Sequence, residues 1–380
     1  MRTAQTLGYH HETQAIGRSR PHGLAHRPEK TSAYSLVQAL QKTSPSFGVE
    51  LRNVPAPGPP GPGDVVVAVG AVGVCGTDLH IYEWTAGYEA MKDAMPVTLG
   101  HEFAGTIAAV GPDACDLEPG MRVAVRPSVV CGHCPDCLAD NADGCKQRKG
   151  MGVTRDGGLA AFVCVPAHNC VVVPAGMDMN IAALAEPMTV SAEAVDTGGV
   201  RPGQRVLVLG PGTIGQGAAL FAREAGAAKV TIVGKNDKLR LETLRRLGFS
   251  ETVDLGARTL KQALSDDLAE GGFDVVIEAT GAPDVVQEAQ QVLRKRGILV
   301  IAGIHPKPAS VNLTRLVREH QQIRGTYRAP IATWSRVIDF LGRNAQLVRH
   351  MISHTVSLDR ALDGFELLRD KAASKVLIVP

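Results

Sequence analysis

The sequence predicts an α/β protein in which a β-rich stretch precedes a doubly wound parallel sheet. Three observations carry this expectation. Residues 37–173 are a run of short β-branched segments broken by Gly and Pro. From Val206 onward, short apolar runs alternate with amphipathic stretches, the rhythm of βαβ units. At the first strand–helix junction stands Gly210-Pro211-Gly212-Thr213-Ile214-Gly215, a G-x-G-x-x-G text in the context that gives it meaning.

Residues 1–36 carry His10, His11, His22 and His26 among several arginines, with no continuous apolar run. They read as a dispensable or disordered extension rather than a secretory signal. Glu12 and Glu29 count against a transit peptide. Val37-Gln38-Ala39-Leu40 opens a first strand, and Val49 to Val54 continues it as a hairpin. A Pro/Gly loop, Pro55 to Gly63, leads to the β-branched run Asp64–Gly70. The alternating region then reads as strand Val206–Leu209, helix Ile214–Ala225, strand Val230–Val233, helix Lys238–Leu247, and strands Val275–Ile277 and Ile298–Ile301. The rhythm ends near Ile323, and Val376–Val379 is a last strand that returns to the first domain. The expected domains are 37–190, 191–325 and a returning segment 326–380.

Composition narrows the function. Lys plus Arg is 40 and Asp plus Glu is 38, a net charge of +2 that argues against a dedicated nucleic-acid binder. No apolar run reaches the ~18 residues of a membrane span. The hydrophobic fraction of 44% excludes a disordered chain. Of the eight cysteines, Cys131, Cys134, Cys137 and Cys145 are clustered in a long chain without a signal peptide. That pattern points to metal and a reducing, cytoplasmic compartment. Cys115, Cys164 and Cys170 read as small packed hydrophobes.

The quartet has the spacing C-x2-C-x2-C-x7-C. Four thiolates close a tetrahedral zinc site completely, which leaves no position for substrate and makes the role structural. An iron–sulfur cluster starts with similar spacing, but the long last gap suits a zinc lobe better. The lobe 131–145 holds Asp136, Asp140 and Asp143 and no Lys or Arg, which removes the phosphate contacts that nucleic-acid binding needs.

In the fingerprint, Gly210, Gly212 and Gly215 allow a tight turn and close approach of a pyrophosphate. Thr213 and Ile214 open the helix whose N-terminus faces it. An NAD site places a carboxylate about twenty residues on, at the tip of the second strand. Here that tip reads Val233-Gly234-Lys235-Asn236. Gly234 leaves room, and Lys235 and Arg240 suit a 2′-phosphate, so the reading leans to NADP; Asp237 keeps NAD open. Thr280, in Glu278-Ala279-Thr280-Gly281, and Gly303 end later strands on the nicotinamide side.

Val74-Cys75-Gly76-Thr77-Asp78-Leu79-His80 and Gly100-His101-Glu102 are unreadable by spacing alone. Taken with the quartet, the fingerprint and their order, they resemble the zinc-dependent medium-chain dehydrogenases of the alcohol dehydrogenase superfamily over residues 37–380. The text 75–84 is similar to the L-threonine dehydrogenase branch, and Leu184-Ala185-Glu186-Pro187 to the sorbitol (polyol) branch. The resemblance implies a GroES-like catalytic domain interrupted by a Rossmann domain. It implies two zinc ions per chain and a homodimer or homotetramer. It also implies that Cys75, His101 and either Glu102 or Glu186 hold a catalytic zinc, with Thr77 at the substrate oxygen and His80 as proton relay. Glu102 could equally be a structural carboxylate gripping a basic partner. Tyr82, Trp84 and Arg328 are candidates for shaping the pocket.

The expected activity is oxidation of a secondary alcohol of a polyol or sugar derivative, a small polar substrate, by zinc-alkoxide formation and hydride transfer to NAD(P). The alternative within the class is oxidation of L-threonine at its 3-hydroxyl. The alternative outside it is a non-catalytic cofactor-binding protein, against which Cys75, Thr77, His80 and His101 all stand.

Overall fold

Valine-rich strands and their turns organise the first part of the chain. The computed structural model describes residues 35–114, 116–139 and 141–380. The N-terminal extension, but for its last two residues, and Cys115 lie outside the described residues. β1 (Leu36–Lys42) and β2 (Glu50–Pro55) form the expected hairpin, with Leu40 opposite Leu51. β3 (Asp64–Gly73) runs three residues beyond its expected end. Most of it is buried, because other strands cover it along both edges. α1 (Gly76–Glu83) follows at once.

The short β4 (Val97–Thr98) adds to β1. β5 (Glu102–Val110) lies antiparallel to β3, and β6 (Arg122–Val125) lies beyond it. The ribbon β7 (Ser128–Val129) and β8 (Lys149–Gly150) brackets the cysteine lobe, which contains the single-turn α2 (Pro135–Leu138). β9 (Phe162–Pro166) pairs with β3 and β10 (Cys170–Val172) with β6.

After α3 (Met179–Ala182) comes α4 (Ala185–Gly198), a helix the sequence reading did not assign. Buried residues lie on nearly all its faces (Ala185, Met188, Thr189, Ser191, Ala192, Ala194, Val195), so it lacks the polar stripe that reveals an amphipathic helix. The parallel sheet follows as β11 (Arg205–Leu209), α5 (Thr213–Glu224), β12 (Lys229–Gly234), α6 (Lys238–Arg246), β13 (Thr252–Asp254), β14 (Phe273–Glu278), β15 (Leu293–Ile301) and β16 (Gln322–Gly325). Its order is β13-β12-β11-β14-β15-β16, which reverses direction between β11 and β14.

The helix Ile331–Arg343 then buries Trp334, Val337, Ile338, Phe340 and Leu341 at helical spacing. β17 (Ile352–Ser357) and β18 (Lys375–Val379) close the chain. β18 lies antiparallel to β3, with Leu377 opposite Gly73, so the last strand joins the first large sheet. That sheet runs β10-β6-β5-β3-β18-β17, with β9 also on β3. No helix among the described residues is long and apolar enough to cross a membrane.

Asp178 shows how a polar contact fastens these parts. Its carboxylate caps α3 by accepting from Asn180 N at 2.9 Å and pairs with Arg349 at 2.7 Å. Burial opposes its charge, but Arg349 and the Asn180 N–H outweigh it and hold the pKa below the ordinary value. A depressed pKa means stabilisation that is present above the unfolded-state value of ~3.9 and lost as pH falls through the folded one. Asp178→Ala should therefore cost about 1 kcal/mol at neutral pH in urea denaturation, with the difference from wild type vanishing on acidification.

Candidate active site

Three ligand-type atoms converge where β3 ends and β5 begins. Those of Cys75, His101 and Glu102 all lie within 4.8 Å of one another. Cys75 is the N-cap of α1, and Asp78 at the third helical position accepts from the Cys75 N–H at 2.9 Å. The other Asp78 oxygen lies 3.7 Å from His101 Nδ1. Asp78 is fully buried; its carboxylate holds the cysteine backbone and faces the imidazole at ion-pair distance, without a hydrogen bond to it. With Nδ1 turned to Asp78, Nε2 is the nitrogen free for a metal, the arrangement by which carboxylates orient ligating histidines. Burial disfavours a charged His101, yet Asp78 and Cys75 together hold its pKa well above the usual value. The cluster is thus electronegative and suits a cation.

Glu102 meets a basic partner. Lys375 Nζ on β18 pairs with Glu102 Oε2 and donates to the Val74 carbonyl at 2.9 Å. Each side chain is only 1% exposed. Burial works against the lysine charge, but Glu102 and Cys75 raise its pKa above the ordinary value. Glu186, in the first turn of α4, stays outside the three-atom cluster among the described residues, although its charge is felt there. Burial, with Glu102, pushes its carboxyl up to about 7 against the opposing pull of His101.

Thr77 and His80 lie three residues apart on α1 and so share a face. His80 Nδ1 is 3.2 Å from Thr85 Oγ1, and its ring stacks on Tyr88 with centroids 6.4 Å apart. Burial raises the Tyr88 phenol, while the adjacent Thr77 hydroxyl lowers it. Tyr82 turns away from this group. It is buried against Phe47 and Phe365 and donates to Glu366 at 2.7 Å, so it packs in the core rather than lining a pocket. Trp84 lies under the Lys42 ammonium, 5.3 Å from its ring centroid. Arg328 stands beyond the end of β16 with its guanidinium over the Tyr327 ring.

The ligand atoms of Cys131, Cys134, Cys137 and Cys145 also lie within 4.8 Å of one another. Zn–S bonds of ~2.3 Å at tetrahedral angles separate the sulfurs by about 3.8 Å. Cys131 and Cys137 are 3.8 Å apart, and Cys131 and Cys145 3.7 Å. The His133 N–H pulls Cys131 down to about 6, whereas burial and Cys134 push Cys137 up to about 12. Thiols crowded this way ionise together only around a cation. Gly132, at φ +77°, turns the chain between the first two cysteines.

The fingerprint loop fits a pyrophosphate. Gly210 has φ +105°, and a side chain on Gly215 would run into the Gly210 carbonyl. Nothing lies within 4 Å of where a Gly212 side chain would stand, and no side chain caps α5. The helix N-terminus is therefore open where an anion would approach. Thr213 and Ile214 form the first turn of α5. At the tip of β12, Gly234 packs beneath Pro211 and Leu241, and Lys235 is exposed. Arg240 is engaged by Asp237 at 3.1 Å and by the Ala373 carbonyl at 3.0 Å, and Asp237 caps α6. Thr280 and Gly303 follow β14 and β15 on the same edge of the sheet as the fingerprint.

Family comparisons agree with this geometry. The profile "Alcohol dehydrogenase GroES-like domain" matches residues 61–175, and "Zinc-binding dehydrogenase" matches 213–343. The chain is 33% identical to an L-threonine 3-dehydrogenase of Sinorhizobium fredii (strain NBRC 101917 / NGR234) over 347 residues, 90% of this chain and 99% of the relative. The chain belongs to the zinc-binding alcohol dehydrogenase family. It is an α/β oxidoreductase with a GroES-like part and a Rossmann-like part. Among solved structures, it resembles one from Sinorhizobium meliloti 1021, assigned as a zinc-binding dehydrogenase and bound to NADP. The identity is 31% and the TM-score 0.83, covering 91% of this chain and all of that one. Galactitol-1-phosphate dehydrogenase from Escherichia coli is 25% identical with TM-score 0.80, covering 90% of this chain and all of that one.

Three residues of the candidate site escaped the sequence reading. Asp78 was detectable, since Cys75-x-x-Asp78 has the spacing of a capping box. Tyr88 and Lys375 carry no local signal, because a loop and the far end of the chain bring them in. Removing one partner of a buried ion pair leaves the other charge uncompensated. Lys375→Met should cost about 3–5 kcal/mol in denaturant unfolding, and adding Glu102→Gln should recover part of the loss.

Proposed function

We propose that this dehydrogenase oxidises a secondary alcohol bearing a neighbouring polar group, as in polyols and sugar derivatives, with two zinc ions per chain and NADP as the preferred acceptor. The observation that carries the reading is the Cys75–His101–Glu102 cluster with Thr77 and His80 on the adjoining helix. When bound, zinc supplies a Lewis acid and NADP a hydride acceptor. Cys75 and His101 would hold the catalytic ion, with Asp78 fixing the imidazole. Glu102, held by Lys375, and Glu186, poised nearby, are the two carboxylates available to complete the set.

Thr77 Oγ1 accepts the proton of the substrate hydroxyl as it gives up its own, which His80 Nε2 takes and then releases to solvent, its Nδ1 being occupied by Thr85. Tyr88 covers both side chains and limits water at this step. The cysteine lobe holds its ion structurally, with all four ligands supplied by the protein. The fingerprint helix binds the pyrophosphate. Exposed Lys235 reaches the 2′-phosphate, since Asp237 is committed to its cap and to Arg240. Homodimers or homotetramers and a cytoplasmic location fit a family of this kind.

A second reading is oxidation of L-threonine at its 3-hydroxyl, also a secondary alcohol with polar neighbours. The 33% identity to an enzyme of that name supports it. Absorbance of the reduced cofactor, followed over polyols, sugar derivatives and L-threonine with NAD and with NADP, separates the two. We expect two zinc ions per chain by elemental analysis, and turnover that chelation abolishes. Thr77→Val should lower kcat by about 10²-fold or more, and Lys235→Asp should shift the cofactor preference from NADP towards NAD. Turnover indifferent to chelation and to Thr77 would overturn the assignment.

A further inference from the structure

We propose that Gln216 and Ser374 are positioning residues for the Cys75–His101–Glu102 cluster, and that through them a ligand on the glycine fingerprint tightens the hold on the metal without touching it. This rests on the catalytic-zinc and cofactor readings above. Gln216, near the start of α5, is fully buried. Its Nε2 donates one hydrogen to the Pro211 carbonyl inside the fingerprint and the other to Ser374 Oγ, both at 2.8 Å. The Pro211 carbonyl can only accept, so the amide cannot be turned round.

Ser374 is the residue before β18 and is pinned from several sides. Its hydroxyl takes the Gln216 amide, and its N–H donates to Ser353 Oγ at 2.9 Å. The Ser353 hydroxyl donates in turn to the Lys375 carbonyl at 3.1 Å. One residue earlier, the Ala373 carbonyl accepts from Arg240 Nε at 3.0 Å, and Asp237 holds the same guanidinium beyond the tip of β12. One residue later, Lys375 Nζ donates to the Val74 carbonyl at 2.9 Å and pairs with Glu102. Three consecutive residues therefore touch the helix that follows β12, the fingerprint helix and the ligand cluster.

Burial makes this path stiff. Gln216, Ser374, Lys375 and Glu102 are each 2% exposed or less, so bulk water does not replace a partner that lets go. Slack in the fingerprint turn is therefore passed to Ser374, and slack at Ser374 to the Lys375–Glu102 pair. An anion that orders the turn removes that slack in advance, and a metal then meets a carboxylate already fixed. Two ligands that need the same ordering favour each other with no direct contact. By reciprocity, the metal favours the anion by the same factor.

The test uses 2′,5′-ADP, which carries the adenosine half of NADP, a phosphate for the fingerprint and no nicotinamide. Zinc retained by the full-length enzyme is titrated against a chelator with and without this fragment, whose binding is read by calorimetry. We expect two zinc ions to leave at separate chelator concentrations. The fragment should move one of them about fivefold higher, the lower end of ordinary coupling between sites. Gln216→Met and Ser374→Ala should abolish that shift, and Ser374→Thr, which keeps the hydroxyl, should retain it. The zinc of the cysteine quartet should stay put throughout and reports that each variant is folded. If Gln216→Met does not fold, Ser374→Ala decides alone. A side chain that only packs would weaken both sites and leave the shift in place. A bound fragment that shifts neither ion in wild type overturns the inference, as does a shift that survives in either variant or is lost in Ser374→Thr. Failure of the fragment to bind overturns the cofactor reading instead, and a single zinc per chain the catalytic-zinc reading.

Discussion

The buried pair of Glu102 and Lys375 is the constraint on which the candidate ligand cluster depends. It joins the first residue of β5 to the first residue of β18, and the lysine also holds the Val74 carbonyl at the end of β3. Three strands are thereby fixed beside Cys75 and His101. The register leaves little choice, since Glu102 lies opposite Gly73 and a side chain there would run into the Glu102 carboxylate. A buried ion pair is seldom a source of net stability, because desolvation offsets most of the attraction. Its value here is positional. A residue more than 270 positions away supplies the charge that pairs with a carboxylate next to Cys75 and His101.

Asp78 does the same over a short range. One oxygen closes the first turn of α1 on the Cys75 N–H, and the other faces His101. One side chain thus meets both the helix start and the imidazole, which ties local secondary structure to the neighbourhood of the cluster. The cysteine lobe is the contrasting case, because its four ligands come from fifteen consecutive residues and need little from the rest of the fold.

This contrast explains how much was legible in the sequence. Period and composition suffice for the valine-rich β3, the βαβ strands and the fingerprint, because each is set by residues close in the chain. The quartet is readable for the same reason. Cys75 and His101 became readable only through family resemblance, since 25 residues of loop and short helix lie between them. Lys375 was hidden in a strand that reads as purely apolar, Val376–Val379, and only the return of β18 to β3 brings it to Glu102. Tyr82 misled in the opposite sense. Its place in the family-like text suggested a pocket, yet the i,i+2 offset from His80 turns it to the other face of α1 and into the core. Arg240 and Asp237 looked like rivals for the ribose, but at helical spacing they bind each other.

Metal chemistry and hydride acceptance must also be held at a fixed separation, and α4 supplies the link. Its first turn carries Glu186 beside the ligand cluster. One turn later, Ser191 Oγ contacts the Pro187 carbonyl at 2.8 Å and the Ile214 carbonyl in the first turn of α5 at 3.0 Å. The helices approach this closely because residue 217 is glycine; a side chain there would run into Ser191 and meet Met188 Sδ at 2.9 Å. A hydroxyl with both neighbours engaged and a glycine with no room to spare leave the pair of helices little freedom to slide. The helix that carries Glu186 near the Cys75–His101–Glu102 cluster is thus the one packed on the helix that opens from the glycine fingerprint. A one-helix spacer of this kind gives both reactants a common frame without any side chain reaching from one site to the other.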